Sequence, residues 1–163
     1  MSQITAKAAA ILNARPADVY ATIADYQQGH PRILPKGRLY DLRVEQGGYG
    51  EGTIIRFKVK TLGFEQSAYQ RVSEPEPGRV LMEQDIDSAR QATTTFSVTP
   101  LDEGQKAQVE IVTTMHASPG LRGLVERLLI PRIQPPVYRR ELKLLEVVAQ
   151  QRNARAGGAS ARS

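Results

Sequence analysis

The apolar residues between positions 38 and 116 recur with a period of two, and this pattern predicts a series of short β-strands. Residues 55–59, for example, alternate isoleucine, phenylalanine and valine with basic side chains. Turns rich in glycine or proline separate the strands, and the glycine run 47–52 is one of them. Short alternating strands joined by tight turns are typical of an antiparallel meander with one buried face. Residues 4–13 predict one further strand, which brings the sheet to about seven.

Near the N-terminus the spacing changes to that of a helix. Pro16 suits the first turn of a helix, where its missing N–H is not needed. Val19, Tyr20 and Ile23 then recur at helical spacing. Residues 32–34 allow only a second, short turn before the next proline. Two short helices are therefore predicted between the first and second strands.

The C-terminal part, residues 119–152, predicts a long closing helix. Its first half carries an apolar stripe that we expect to face the sheet, formed by Leu121, Leu124, Val125, Leu128 and Leu129, with Arg122, Glu126 and Arg127 outside it. Prolines inside a helix remove hydrogen bonds and clash with the preceding turn. Pro131, Pro135 and Pro136 therefore predict a kink or short link that splits the helix into about 120–130 and 136–152, the first part forming a flap.

Together these elements predict an α+β fold with a curved antiparallel sheet under one long, proline-kinked helix. A single helix has too few side chains to fill the concave side of such a sheet, so we expect a cavity between them. Residues 1–151 are expected to form one domain. Residues 152–163, rich in alanine, glycine and serine, are expected to be a flexible basic tail.

Composition narrows the classes of function. The net charge is +5, but three of the 22 basic residues lie in 152–163, which leaves 19 against 17 acidic residues and a net charge of +2. A nucleic-acid partner is therefore not expected.

The absence of cysteine excludes disulfides and thiolate sites. No run of 18 apolar residues predicts a membrane span. Without a signal-peptide pattern we expect a cytoplasmic protein, with at most transient membrane contact.

Several local motifs give the chain a resemblance to a known superfamily. It resembles the SRPBCC superfamily (START-like, Bet v 1-like), in its bacterial polyketide cyclase/dehydrase and lipid-transport branch. The resemblance covers about residues 4–152. The motifs are Ile11 to Tyr20 with Ala24-Asp25-Tyr26, Leu34-Pro35-Lys36-Gly37, Glu51-Gly52-Thr53, and Phe96 to Leu101 with Gly104.

This resemblance implies a helix-grip fold whose cavity binds or carries a hydrophobic or amphipathic small molecule, such as a lipid, an isoprenoid or a polyketide-like compound. An enzyme of the polyketide cyclase, aromatase or dehydrase type is the alternative use of the same cavity. A protein-interaction module is the second alternative, and it requires that Phe57, Phe64, Phe96 and Tyr138 fill the cavity. The residues alone leave these alternatives open.

The strand and helix phases predict which side chains face the cavity. The candidates are Phe57, Gln66, Gln70, Met82, Gln84, Thr94, Phe96, Ile111, Tyr138, Glu141 and Leu145. The polar members among them would give an apolar pocket a few hydrogen-bonding points. No catalytic residue, metal ligand or cofactor is predicted. His30 and His116 have no partner at ligand spacing, so surface or packing roles are expected for both.

Glu141 is the candidate that chemistry makes most informative. It lies about 40° from Val137 on a helical wheel, inside the apolar arc that also holds Val148. A carboxylate facing a dry core is costly unless it is paired or protonated. We therefore expect Glu141 to point into the cavity with a pKa raised by desolvation. A salt bridge to a neighbouring arginine is the alternative.

Overall fold

The computed structural model describes residues 2–160. Its elements are β1 (Gln3–Leu12), α1 (Pro16–Ala24), α2 (His30–Ile33), β2 (Leu39–Gln46), β3 (Ile54–Thr61), β4 (Phe64–Glu76), β5 (Val80–Asp85), β6 (Thr93–Leu101), a 3₁₀ turn (Asp102–Gly104), β7 (Lys106–His116) and α3 (Gly120–Ser160). The protein therefore has the predicted α+β architecture, with a seven-stranded antiparallel sheet and one long C-terminal helix.

The strands follow the order β1-β7-β6-β5-β4-β3-β2, and each is antiparallel to its neighbour. Strands β2 to β7 form a meander, while β1 pairs with β7 along its whole length. The register of β4 against β5 shifts between Ser73 and Glu76, and β2 against β3 shifts twice. Such bulges bend a strand and increase its twist. The curvature lets the sheet partly enclose the helix.

The core lies where the C-terminal half of α3 packs on β1, α1 and α2. Leu142, Leu145 and Ala149 of the helix are buried there, together with Val19 and Ile23 of α1. In this half of the helix the apolar face is the buried face, as the sequence predicts. Burying a Leu or Val side chain stabilises the fold by about 1.5–3 kcal/mol, so this contact anchors the helix across the sheet.

The predicted break in the closing helix is wrong. Helix α3 continues from Gly120 to Ser160 with Pro131, Pro135 and Pro136 inside it. A proline leaves the carbonyl four residues earlier without its helical donor, which here affects residues 127, 131 and 132. All three of those positions are exposed. Because water can bind the freed carbonyls, the helix continues through the prolines, and no separate flap precedes them.

The first quarter of α3 faces the opposite way from the prediction. Leu121, Leu124 and Val125 are 82%, 56% and 47% exposed, whereas Glu126 is only 3% exposed. Gly123 is buried beside Ser118, and a Cβ at Gly123 would lie 1.8 Å from the Ser118 carbonyl oxygen. The close approach at Gly123 and the burial of Glu126 therefore fix the rotation of the helix, and its apolar stripe is left in solvent.

The helix also extends beyond the expected domain end at residue 151. Residues 152–160 are helical, and the Arg152 Nη2 atom lies 3.1 Å from Asp25 Oδ2. Alanine and arginine are strong helix formers, and the ion pair ties the first turn of this segment to α1. Residues 161–163 of the expected tail lie outside the described part of the chain. The division into a domain and a tail stays a prediction.

Candidate ligand-binding cavity

A cavity of about 440 Å³ lies between the concave face of the sheet and α3. Its walls come from α2, the middle strands and the helix positions Ile130, Gln134, Tyr138 and Glu141. Seven of the eleven predicted residues line it, namely Phe57, Gln66, Gln70, Thr94, Phe96, Tyr138 and Glu141. A volume of this size is within the range of small-molecule sites in proteins.

The other four predicted residues do not line the cavity. Met82 and Gln84 are on the outer face of β5, and Gln84 is exposed, whereas Leu81 and Glu83 face inward. The prediction chose the wrong face because Glu83, a charged residue, occupies the inner one. Ile111 and Leu145 do face inward, but both are fully buried in the apolar core. They support the site without forming its surface.

Glu83 is held at the inner end of the cavity by two aromatic side chains. The Tyr26 hydroxyl donates to Glu83 Oε1 at 2.6 Å, and His30 Nε2 lies 3.5 Å from the same oxygen. The His30 ring stacks on Tyr26 with 4.5 Å between centroids. Its Nδ1 lies 2.8 Å from the Ile23 carbonyl oxygen, which can only accept. Nδ1 therefore carries a proton.

This tautomer has a consequence for the contact with Glu83. A neutral His30 would present the lone pair of Nε2 to a carboxylate oxygen, and two acceptors repel each other. A proton on either His30 Nε2 or Glu83 makes the contact attractive. The Tyr26, His30 and Glu83 side chains thus form a buried polar cluster at the cavity wall. Burial, and then the charge of Glu83, raise the pKa of Tyr26 well above its usual range, so its hydroxyl stays protonated.

Glu141 is the second carboxyl group at this end. It is 3% exposed and lines the cavity. Among residues 2–160, no side chain or backbone group forms a hydrogen bond with its carboxyl oxygens. Burial, and then the charge of Glu83, raise the pKa of Glu141 to about 8. At neutral pH the group is therefore mainly a neutral acid that can donate a hydrogen bond into the cavity.

A row of hydroxyl groups runs along the wall from Glu141 toward β6. The Tyr138 hydroxyl is hydrogen-bonded to Thr113 Oγ1, and Thr113 Oγ1 lies 2.8 Å from Thr94 Oγ1. Burial is the main cause that raises the pKa of Tyr138 to about 12. The tyrosine remains neutral over the physiological range. This row can donate or accept hydrogen bonds but carries no charge.

Gln70 presents an unpartnered acceptor. Its Nε2 donates to Asp85 Oδ1 at 2.9 Å, and Asp85 Oδ2 accepts from the Ala92 backbone N–H at 3.0 Å. These contacts fix the orientation of the amide. The Gln70 Oε1 atom is buried without a hydrogen-bond partner among the described residues. A buried acceptor without a donor is costly unless a ligand or water satisfies it.

The outer end of the cavity is formed by residues 87–92 and α3. Arg90 lines the cavity there, and its Nη1 lies 3.2 Å from Glu126 Oε1. The Glu126 carboxylate also accepts from the Ser118 backbone N–H and hydroxyl, each at 2.9 Å, and from Arg122 Nε at 3.1 Å. Burial acts to raise the pKa of Glu126, but these hydrogen bonds and the charge of Arg90 outweigh it, and the pKa is lowered.

Sequence reasoning missed the most polar part of the wall, formed by Glu83, Asp85, Arg90 and Thr113. It expected only surface or packing roles for His30, which is in fact packed between Tyr26 and Phe96 and also lines the cavity. A mid-strand glutamate between Met82 and Gln84 was the available signal for Glu83. That signal is weak, because glutamates on solvent-facing strand positions look the same in sequence.

Residues 3–150 match the model of the family described as polyketide cyclase / dehydrase and lipid transport. The chain belongs to this family. The resemblance predicted from the motifs is therefore confirmed. None of the curated proteins compared with the chain matches it in sequence.

Solved structures show the same fold. The KanY protein, solved by NMR, superposes with a TM-score of 0.77 at 26% identity, over 92% of this chain and 99% of its own. The Zhui aromatase/cyclase from Streptomyces sp. R1128 gives 0.73 at 16% identity, over 93% and 96%. A START superfamily protein from Mycobacterium smegmatis gives 0.64 at 15% identity, over 90% and 97%. The identities of the last two are low, so these two similarities establish the fold alone.

Residues 2–160 contain no group of three or more histidine, aspartate or glutamate side chains placed to hold a metal ion. Over the same range, no helix combines the length and apolar character needed to span a membrane. What the cavity offers is acid–base and hydrogen-bonding groups.

Proposed function

We propose that the cavity binds a hydrophobic or amphipathic small molecule whose oxygen-bearing end lies against Glu141 and Glu83. The observation that carries this proposal is the Glu141 carboxyl group, which lines the cavity without a protein hydrogen bond. A protein gains nothing in stability from burying an acid in this way. A ligand that accepts its hydrogen bond would compensate the cost.

The polar atoms favour a particular type of ligand. Neutral Glu141 donates a hydrogen bond, and Gln70 Oε1 accepts one. The remaining wall includes Leu39, Leu42 and Phe57, which suit apolar carbon. A carbonyl group at the Glu141 end and a hydroxyl group near Gln70 would satisfy both side chains. Oxygenated isoprenoids and polyketide-like compounds have this combination.

The pH dependence of binding tests this assignment. A carbonyl-bearing ligand should bind well below pH 8, and its affinity should fall as the pH rises through about 8 and Glu141 loses its proton. Displacement of an environment-sensitive apolar dye by a hydroxynaphthoquinone, measured from pH 6 to about pH 9, would report this. Glu141→Gln keeps a hydrogen-bond donor that cannot ionise, so the variant should bind the ligand equally well over this pH range. Binding that strengthens with rising pH would mean that protonated Glu141 is not the donor, and would contradict the proposal.

A cyclase or dehydrase activity is the second candidate, and one observation favours it. A neutral acid, Glu141, lies in the same cavity as Glu83, which accepts a hydrogen bond from Tyr26 and lies 3.5 Å from His30 Nε2. As a general acid, Glu141 could protonate a leaving hydroxyl, and Glu83 as a base could remove a C–H proton. Mass spectrometry of hydroxy-ketone substrates, with loss of one water as readout, would separate catalysis from carriage. Glu141→Gln should then bind substrate but lose turnover.

The interaction-module alternative has lost its structural basis. It requires Phe57, Phe64, Phe96 and Tyr138 to fill the cavity. Phe64 instead is not part of the cavity wall and is 56% exposed, and a volume of about 440 Å³ stays open. The cytoplasmic location and the absence of a nucleic-acid partner stay predictions of the sequence.

A further inference from the structure

The solvent-facing side of α3 combines apolar and basic residues in a way that the cavity does not explain. Leu121, Leu124, Val125 and Leu128 of α3 are exposed, and we call these four side chains the outer patch. Successive helical residues are rotated by about 100°, which places Leu121, Leu124 and Leu128 roughly opposite the inward-facing Glu126 and Val125 about 100° from it. Contiguous exposed apolar residues on a helix mark a surface that binds something.

The charges around the outer patch have one sign. All charged side chains that are exposed between positions 120 and 143 are basic, namely Arg122, Arg127, Arg132, Arg139, Arg140 and Lys143. The two acidic residues in that range, Glu126 and Glu141, are buried. The exposed face is therefore cationic and apolar, although the folded part of the chain is nearly neutral.

This combination is typical of helices that lie in the interface of a membrane. Such helices bury an apolar face at the headgroup boundary while their basic residues contact anionic lipids. A second copy of the chain would fit poorly, because a symmetric contact brings the same cations together. From the exposed patch and the uniform charge, we propose that this face of α3 docks on an anionic lipid bilayer.

The position of the outer patch beside the cavity gives the docking a consequence. Glu126, in the same helical turns, is bound to Arg90, which lines the outer end of the cavity. Phe64, on the β3–β4 hairpin, lies under the Arg122 guanidinium at 4.6 Å and is itself exposed. A bilayer in contact with the outer patch would therefore lie near the part of the cavity wall that Arg90 forms.

The chain offers a matched pair of variants for the test. Val125 and Val147 are both exposed valines of α3, at 47% and 50%, but only Val125 belongs to the outer patch. Purified protein is mixed with vesicles of phosphatidylcholine and phosphatidylglycerol, and the bound fraction is measured by sedimentation. Val125→Asp should lower the partition coefficient about tenfold, whereas Val147→Asp should leave it unchanged. Urea unfolding of both variants checks that each is folded.

The charge part of the proposal has its own test. Vesicles of phosphatidylcholine alone, high salt, or the double change Arg139→Glu with Lys143→Glu should each reduce binding strongly. Several results would overturn the proposal: no binding of the unmodified chain to anionic vesicles, equal binding to neutral ones, or equal loss in the two valine variants. A dimer that Val125→Asp dissociates would also overturn it, because the patch would then be a self-association surface. Dye binding to the cavity in vesicle-free solution is independent of all these outcomes.

Discussion

The two halves of helix α3 have similar apolar stripes but opposite orientations. In residues 137–149 most apolar side chains are buried, with Leu144 and Val147 the exceptions, and in residues 121–128 they are mostly exposed. Each half also turns one glutamate inward. Glu126 is surrounded by donors, and Glu141 has none among the described residues. The rotation of a helix about its axis is therefore set by the inward-facing groups that find the most favourable partners, and these groups need not be apolar.

The two glutamates also differ in what they contribute. Glu126 joins α3 to residues 87–92 and to the segment before the helix, and it is charged because its pKa is lowered. Glu141 faces the cavity and is mainly neutral at pH 7 because its pKa is raised. Glu126 stabilises the fold, whereas Glu141 lowers the stability of the fold and provides a polar group in the cavity. Substitutions at paired positions can separate these roles.

The largest effect is expected in the C-terminal half of α3, whose apolar side chains pack in the core. Leu145→Ala removes a fully buried side chain of the core and should lower the free energy of unfolding by about 2–5 kcal/mol. Leu144→Ala, at the adjacent and partly exposed position, is the control and should cost well under half as much. Urea denaturation measures both. Equal losses would mean that the helix is not rotated as described.

The second prediction concerns Glu141. Because its folded pKa of about 8 exceeds its unfolded value, stability is greatest below the unfolded pKa and is lost as the pH rises toward 8. Glu141→Gln removes this loss, so at pH 7 it should stabilise the protein by about 3 kcal/mol. The stability difference between the two proteins should shrink as the pH falls to about 4.5. Destabilisation at pH 7 would indicate that the carboxylate has a partner.

The third prediction concerns Glu126, where the same type of substitution should lower the free energy of unfolding rather than raise it. Glu126→Gln replaces one acceptor oxygen with a donor facing Ser118 and Arg90, and should destabilise the fold by about 2 kcal/mol at pH 7. Because the folded pKa is lowered, the contribution is present above the unfolded pKa and is lost as the pH falls through the folded pKa. Glu146→Gln is the control, since Glu146 accepts a single hydrogen bond within residues 2–160, from the Asn13 backbone N–H. If Glu126→Gln does not change the free energy of unfolding, the contacts of Glu126 do not fix the rotation of the helix.

The smallest expected effect is on the outward apolar half. Leu124→Ala removes a side chain that is 56% exposed and should change the free energy of unfolding by at most about 0.5 kcal/mol. Thermal unfolding in the absence of lipid measures it. A loss comparable to that of Leu145→Ala would show that the stripe is buried in solution, for example by self-association, and would end the contrast between the halves.

Much of the fold was predictable because it depends on local periodicity. The period of two across residues 38–116 and the helical spacing after Pro16 and Pro119 predict the elements in their correct order. The rule for proline inside helices predicted a break at 131–136 that does not occur. That rule describes the lost hydrogen bonds correctly, but hydration of exposed carbonyls depends on which side of the helix faces water. Only the packed structure decides this.

The site was predictable in part for the same reason. Phe57, Phe96, Tyr138 and Glu141 follow the apolar phase of their elements, and the structure places them on the cavity wall. Met82 and Gln84 were assigned to the inner face because apolar alternation was assumed on β5. Glu83 occupies that face instead, held by Tyr26 and His30 from a distant part of the sequence.

Spacing along single segments predicts the order of the elements, the antiparallel meander and the inward position of Glu141, and the resemblance of several motifs predicts the family. Tertiary structure alone decided which stripe of α3 is buried, which charged groups share the cavity and which polar atoms lack partners. These depend on contacts between residues far apart in the chain, such as Tyr26 with Glu83 and Arg90 with Glu126. A buried charge costs much or little according to its neighbours, and local sequence does not contain those neighbours.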